Sequence, residues 1–95
     1  MNKVIAERKL LYCAKGSSDR KTLVVRVGTP YLDKDGMARC PVEWDGLFET
    51  FADMGGMDSL QALQLASNID SMLEKLREKY DFFWASGEPY FDEPG

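Results

Sequence analysis

The sequence predicts an α+β domain in which four antiparallel strands precede one long helix. Alternating apolar residues fill the first half of the chain, turn residues separate these runs, and helical periodicity begins only after Gly56. Strands that all precede the helix, rather than alternating with helices, are typical of this class. We therefore expect a single domain, residues 1–95: a four-stranded antiparallel meander, one helix packed on one face, and a short C-terminal fifth strand or ordered arm.

The first two strands are predicted at residues 3–14 and 22–29. In the first, apolar side chains fall on both faces and Arg8 interrupts one of them, so either face could be buried. The second alternates more regularly, and Pro30 ends it because proline cannot donate a hydrogen bond to a neighbouring strand. One face of this second strand carries Leu23, Val25 and Val27.

The third and fourth strands are predicted at residues 37–45 and 47–54. Clear alternation marks the third strand, although Pro41 indicates that it lies at an edge or is bulged. Asp45-Gly46 is typical of a two-residue hairpin turn.

The length of that turn decides which face of the fourth strand is buried, and two alternatives stay open. A two-residue turn pairs Trp44 with Leu47 and places Glu49 and Asp53 on the core face beside Phe51. A longer loop or a bulge instead buries Phe48, Thr50, Ala52 and Met54.

The helix is predicted to run from about residue 59 to about residue 80. Gly55-Gly56 releases the chain from the preceding strand, the Asp58 side chain caps the first turn, and Gln61 reaches back to the Asp58 N–H. At 100° per residue, eight residues form one apolar stripe: Ala62, Leu65, Ala66, Ile69, Met72, Leu73, Leu76 and Tyr80. Leu60 and Leu63 fall outside this stripe.

The C-terminal segment, residues 81–95, is short, strand-like and aromatic. Six of the eleven aromatic residues lie between residues 80 and 91. We expect this segment to be a fifth strand or an ordered arm rather than a loose tail.

Composition indicates an ordinary globular protein, with 44% hydrophobic and 29% charged residues. Charged residues interrupt the N-terminal apolar run, and no stretch approaches the ~20 apolar residues of a membrane span. We therefore expect a cytoplasmic protein. Residues 1–26 carry seven basic and two acidic side chains, and the remainder carries five basic and fourteen acidic ones. Acidic neighbours can neutralise the basic strands, so direct nucleic-acid binding is not expected.

The residue types present limit the chemistry. The chain has no histidine, which excludes Ser-His-Asp and Cys-His catalysis and every histidine-containing zinc site. Cys13 and Cys40 are the two cysteines, and we expect both to be reduced and buried. We expect no cofactor, no metal ion and no catalytic residue.

Three sequence features resemble a family of small uncharacterised bacterial proteins classed as a domain of unknown function. They are an Ile5-Ala6-Glu7-Arg8 opening strand, the Arg39-Cys40-Pro41 strand and a G-x-DSLQALQLA helix start at residues 56–66, followed by a Gly87-Glu88-Pro89 turn. The resemblance implies a small bacterial domain without an assigned activity.

The function that these observations favour is a non-enzymatic protein–protein interaction module, of the immunity or inhibitor type. Aromatic anchors surrounded by charge are typical of binding hot spots, and acidic rims attract basic partners. The candidate interaction surface comprises Leu60, Leu63, Phe83, Trp84, Tyr90, Phe91, Asp92 and Glu93. The alternatives are a small-ligand-binding or enzymatic domain that uses surface carboxylates, and a structural homodimer through a sheet edge or the second sheet face.

Overall fold

The structure is a computed structural model and describes residues 3–47 and 52–91. Its elements confirm the α+β class with antiparallel sheets. In chain order they are β1 (Val4–Ala14), β2 (Lys21–Gly28), β3 (Tyr31–Leu32), β4 (Ala38–Cys40), β5 (Val42–Asp45), β6 (Met54–Gly56), α1 (Ser59–Ser67), α2 (Ile69–Lys75) and β7 (Tyr80–Trp84).

The larger sheet has four antiparallel strands in the order β5-β2-β1-β7. In its central strand β1, Leu10 lies opposite Leu23 of β2 and opposite Trp84 of β7. Side chains of directly opposed residues share a face. The buried row on the core face therefore includes Leu10, Tyr12, Leu23, Val25, Val42, Trp44 and Phe82.

The expected single meander is wrong, because the predicted third strand divides at Pro41 and serves two sheets. β5 pairs with β2 in the larger sheet, whereas β4 lies between β3 and β6 in a separate three-stranded sheet. Proline has no N–H for either ladder. Its carbonyl still accepts a 3.0 Å hydrogen bond from the Gly28 N–H, which fixes the crossing point between the sheets.

The fourth strand is shorter and later than the predicted 47–54. Among the described residues only Met54–Gly56 forms this strand, so the two glycines belong to β6 and do not release the chain from it. Met54 packs against the core, as the longer-loop alternative requires, but Ala52 is exposed. Residues 48–51, which include the other positions by which the two alternatives for the buried face differ, lie outside the described residues.

The predicted helix start is confirmed, with one difference in its capping. The Gln61 N–H donates to Asp58 Oδ1 at 2.8 Å. The Gln61 side chain, however, accepts from the N–H of Met57 at 2.6 Å rather than from that of Asp58.

The single long helix to residue 80 is wrong. Asn68, with φ −80° and ψ 61°, separates α1 from α2, and α2 ends at Lys75. Asparagine side chains compete for backbone hydrogen bonds and are poor inside helices, which favours a break here. Turns follow α2, and Tyr80 begins β7 instead of completing the helix.

The apolar stripe is largely confirmed despite the break. Six of its eight members are buried: Ala62, Ala66, Ile69, Met72, Leu73 and Leu76. Leu65 is 45% exposed, so its predicted place in the buried stripe is wrong. Helix α1 packs on β4 and β6. The approach is close because Gly56 of β6 lies under Ala62: a Cβ built on Gly56 would lie 2.6 Å from the Ala62 nitrogen.

The expected fifth strand is confirmed as β7, which pairs with β1 on one side.

One buried cluster joins both sheets to both helices, and both cysteines are free and buried. In the described parts of the chain, no helix is long and apolar enough to cross a membrane.

Candidate functional site

Residues 80–91 form a hairpin, here called the aromatic hairpin, that brings together four of the predicted site residues. The Trp84 N–H donates to the Glu88 carbonyl at 2.8 Å, and the Tyr90 N–H donates to the Phe82 carbonyl at 3.0 Å. Gly87, with φ +98°, supplies the left-handed conformation at the turn. This pairing sets Phe83 opposite Pro89 and brings Tyr90 next to Trp84 and Phe91.

The rings of the aromatic hairpin contact one another. The Trp84 and Tyr90 centroids are 4.6 Å apart with tilted planes, and the Tyr90 and Phe91 centroids are 5.2 Å apart in an edge-to-face arrangement. Pairs of this geometry contribute about 0.5–1.5 kcal/mol beyond the burial of their area. The rings therefore stabilise the hairpin itself.

Arginines from elsewhere in the chain cover the faces of all four of these rings. The guanidinium carbon of Arg20 lies 3.7 Å from the Phe83 centroid, and that of Arg77 lies 4.4 Å from the Phe91 centroid. Arg8 lies 5.1 Å from the Trp84 centroid. Such cation–π contacts occupy ring faces that an external partner would otherwise use.

Tyr90 ties the hairpin to the rest of the molecule. Its hydroxyl accepts a 2.5 Å hydrogen bond from Arg8 Nη1 and donates one to Asp70 Oδ1 of helix α2. Burial, followed by the bond to Asp70, raises the pKa of Tyr90 above its ordinary value. The hydroxyl therefore stays neutral, and it links β1, α2 and the hairpin.

Most of the aromatic half of the predicted surface is therefore engaged in contacts within the chain. Tyr90 is 8% exposed, and Phe83 and Phe91 are half-buried, whereas Trp84 keeps 40% of its surface exposed. Asp92 and Glu93, the acidic members of that surface, lie outside the described residues.

A groove of about 280 Å³ runs beside the hairpin between Tyr80, Phe83 and Phe91. The two cations that line it already have acidic partners. Lys15 Nζ lies 2.5 Å from Asp81 Oδ1, and Arg77 Nη1 lies 3.1 Å from Glu74 Oε1. The groove therefore offers aromatic walls but no uncommitted charge for an anionic ligand.

The two predicted leucines behave differently from each other. Leu63 is partly buried against the core, so its place outside the stripe does not make it a surface residue. Leu60 is 62% exposed in the first turn of α1, which packs on the smaller sheet. Leu60 is not part of the aromatic hairpin.

Leu60 belongs instead to a group of exposed apolar side chains at one end of the three-stranded sheet. Leu32 ends β3, Met37 precedes β4, and Met57 follows β6. The register places Leu32, Ala38 and Gly56 across from one another, so these strand ends meet at the same place. We call Leu32, Met37, Met57 and Leu60 the sheet-end surface.

The exposure of the sheet-end surface is unusual for such large side chains. Met57 is 86% exposed, Leu32 70% and Met37 47%. Sequence periodicity missed Leu32 and Met57 because they lie in or beside turns, where it makes no assignment, and it placed Met37 at the start of the predicted third strand, one residue before β4 begins. A large apolar residue between turn residues, such as Met57 between Gly56 and Asp58, was the available signal.

Carboxylates border the sheet-end surface. Asp33 Oδ2 accepts a 2.7 Å hydrogen bond from Arg39 Nε, while Asp33 Oδ1 accepts the N–H groups of Asp35 and Met37. The bond from Arg39, followed by that from Met37, lowers the pKa of Asp33. Asp35 and Asp58 are exposed beside the apolar residues.

Several acidic and thiol side chains of the described residues have defined surroundings. Within residues 3–47 and 52–91, no three Cys, Asp or Glu side chains are grouped so as to hold a metal ion. Glu43 and Asp45 both bind Arg26, at 3.0 and 3.2 Å. Burial raises the pKa of the Cys40 thiol, whose Sγ lies 3.3 Å from the Gly28 carbonyl, so it stays protonated.

Fold and surface together define a small α+β protein that exposes apolar side chains at one end of its smaller sheet. The chain belongs to the DUF6968 family, a domain of unknown function, whose model matches residues 6–86. No curated protein and no solved structure matches the chain.

Proposed function

We propose that this protein is a protein–protein interaction module, of the immunity or inhibitor type, that acts in the cytoplasm and binds its partner through the sheet-end surface. The observation that carries the proposal is that four large apolar side chains, each 47–86% exposed, lie at the end of the smaller sheet where β3 ends, β4 begins and β6 leads into α1. Grouped apolar side chains rimmed by polar residues are typical of interaction sites.

The residue types suit binding. Methionine is flexible and polarisable, so Met37 and Met57 can adapt to the shape of a partner. Burying one such side chain stabilises a complex by about 1.5–3 kcal/mol. Two or three anchors of this size are enough for a hot spot.

The aromatic hairpin is the weaker candidate, although the sequence favours it. Its ring faces already contact Arg8, Arg20 and Arg77, and the Tyr90 hydroxyl is bonded on both sides. A partner that bound there would first have to displace these contacts. Trp84, which is 40% exposed, is the one described member that could contribute at a rim.

The alternative of an enzyme that uses surface carboxylates has less support. The exposed pair Glu43 and Asp45 shares Arg26 as a counterion, and Glu7 lies 3.4 Å from the same guanidinium. These bonds hold the carboxylates on the open sheet face as an ion-pair network rather than around a cleft.

Site-specific photo-crosslinking tests the proposal. A photoreactive amino acid replaces Met57, and a matched control carries it in place of Lys9, which is exposed on β1. In the native cell we expect a discrete adduct from position 57 and none of the same mass from position 9. Adding Leu60→Asp should abolish the adduct without unfolding the domain.

Two results would reject the proposal: adducts that are identical from both positions, or an adduct from position 57 that survives Leu60→Asp. The protein found in the adduct is then purified and titrated with the wild-type domain and with the Leu60→Asp variant. Equal affinity for the two would also reject the proposal. Circular dichroism of each variant shows that the fold is retained.

A further inference from the structure

We infer that the partner at the sheet-end surface is a protein segment that presents basic side chains around an apolar anchor. This inference rests on the proposed function and adds the chemistry of the partner. It follows from the charges that border the surface and from the Asp58 carboxylate that caps the start of helix α1.

The turns that carry the sheet-end surface are acidic. Residues 33–37 and 57–61 contain Asp33, Asp35 and Asp58 against Lys34. Arg39 of β4 forms an ion pair with Asp33, whose side chain is only 17% exposed. The positive charge of Arg39 is therefore used on the least exposed of the three carboxylates. Asp35 and Asp58 remain exposed beside Met37 and Met57.

The start of helix α1 already carries an anion of its own. The N–H groups at a helix start attract anions, and here the Gln61 N–H donates to Asp58 Oδ1. The Met57 N–H, which precedes the helix, donates to the Gln61 side chain. An acidic partner would therefore meet the Asp58 carboxylate at this end of the helix.

Other occupants fit this surface less well. Nucleic acids and anionic lipid surfaces carry negative charge that the acidic rim repels. A second copy of the chain, docked by the same surface, would bring two acidic rims together. Lysine or arginine side chains complement the rim, and an apolar side chain fills the space between Met57 and Leu60.

A displayed library of random peptides provides the test. The library is selected on the wild-type domain and depleted on Leu60→Asp, so that the retained peptides depend on the sheet-end surface. We expect these peptides to combine an apolar residue with flanking lysine or arginine. Their binding is then measured on Asp35→Asn/Asp58→Ser, in which serine preserves the helix cap.

The expected result is a lower association rate for the neutralised variant, by roughly threefold or more, with little change in the dissociation rate. Asp19→Asn/Glu88→Gln changes the net charge equally at exposed positions outside the surface and should leave the rate unchanged. Added salt should slow association to the wild type and hardly affect the neutralised variant.

The outcomes separate the inference from the proposed function. The inference is overturned if the Leu60-dependent peptides lack basic residues, or if their association rates do not respond to Asp35→Asn/Asp58→Ser. Either result leaves the proposed function of the sheet-end surface standing. If no peptide depends on Leu60, both are rejected. A wild-type dimer in light scattering that Leu60→Asp dissociates assigns the surface to a second copy and overturns the inference.

Discussion

The Tyr90 hydroxyl donates a hydrogen bond to the Asp70 carboxylate, which fastens the C-terminal hairpin to helix α2. The two residues are twenty positions apart, and the Arg8 guanidinium that completes the arrangement is eighty-two positions from Tyr90. One partly buried hydroxyl therefore holds together the first strand, the second helix and the end of the described chain.

Tyr90→Phe removes this link and should lower the free energy of unfolding by about 1–2 kcal/mol, because a buried ring loses its hydrogen bonds to two charged groups, although Arg8 and Asp70 stay paired with each other at 3.7 Å. Urea denaturation followed by tryptophan fluorescence measures the change. Tyr31→Phe is the matched control, since it removes an exposed hydrogen bond to Asp53. Equal effects of the two substitutions would contradict the role assigned to Tyr90.

Gly56→Ala should destabilise the fold by about 1–3 kcal/mol, because overpacking against the backbone forces α1 away from the sheet. The added Cβ would lie 2.6 Å from the Ala62 nitrogen and 3.0 Å from the Gln61 carbonyl carbon. Gly55→Ala is the matched control, since its nearest contact, at 3.8 Å, is the end of the Arg39 side chain. Thermal unfolding of both variants checks the contrast, and similar midpoints would disprove the close approach.

Asp58→Ala should lower the free energy of unfolding by about 1 kcal/mol through loss of the helix cap. Asp58→Asn keeps an oxygen acceptor for the Gln61 N–H and should retain most of the stability. Comparison of the two separates the hydrogen bond from the charge. An unchanged melting temperature for the alanine variant would show that the cap contributes nothing.

The pair of Asp33 and Arg39 should make stability depend on acid pH. The bond from Arg39 depresses the folded-state pKa of Asp33 below its unfolded value, which is about 3.9. Its contribution is therefore complete above the unfolded pKa and disappears as the pH falls through the folded-state pKa.

Asp33→Asn should be less stable than the wild type at neutral pH, and the difference should shrink in acid. Chemical denaturation over a pH series measures it. Asp35→Asn leaves the bonds to the Asp33 carboxylate in place and serves as the control. A difference between Asp33→Asn and the wild type that is constant across the series would refute the linkage.

Local chemistry made part of this fold predictable. The alternation in β2 and the cap at Asp58 depend on neighbouring residues, and both are confirmed. The break at Asn68 was missed because core-facing residues keep the helical period on both sides of it. Pro41 was recognised as irregular, but nothing local shows that the chain changes sheets there.

The candidate site, too, was predictable only where neighbouring residues determine it. Proximity in sequence grouped Trp84, Tyr90 and Phe91 correctly. The position of Arg8 over Trp84 and Tyr90 depends on pairing between distant strands, which periodicity cannot supply. Leu32 and Met57 meet at one sheet end through the same kind of long-range pairing.

The position of β1 between β2 and β7 has a consequence for biosynthesis. The ribosome makes β1 well before its second neighbour, β7, which ends at Trp84. Until that residue leaves the exit tunnel, one edge of β1 has no partner strand, and long-range pairing of this kind is slow. Folding of this domain is therefore complete only once β7 has been made and released, and a chain truncated before residue 80 exposes an apolar strand edge that favours aggregation.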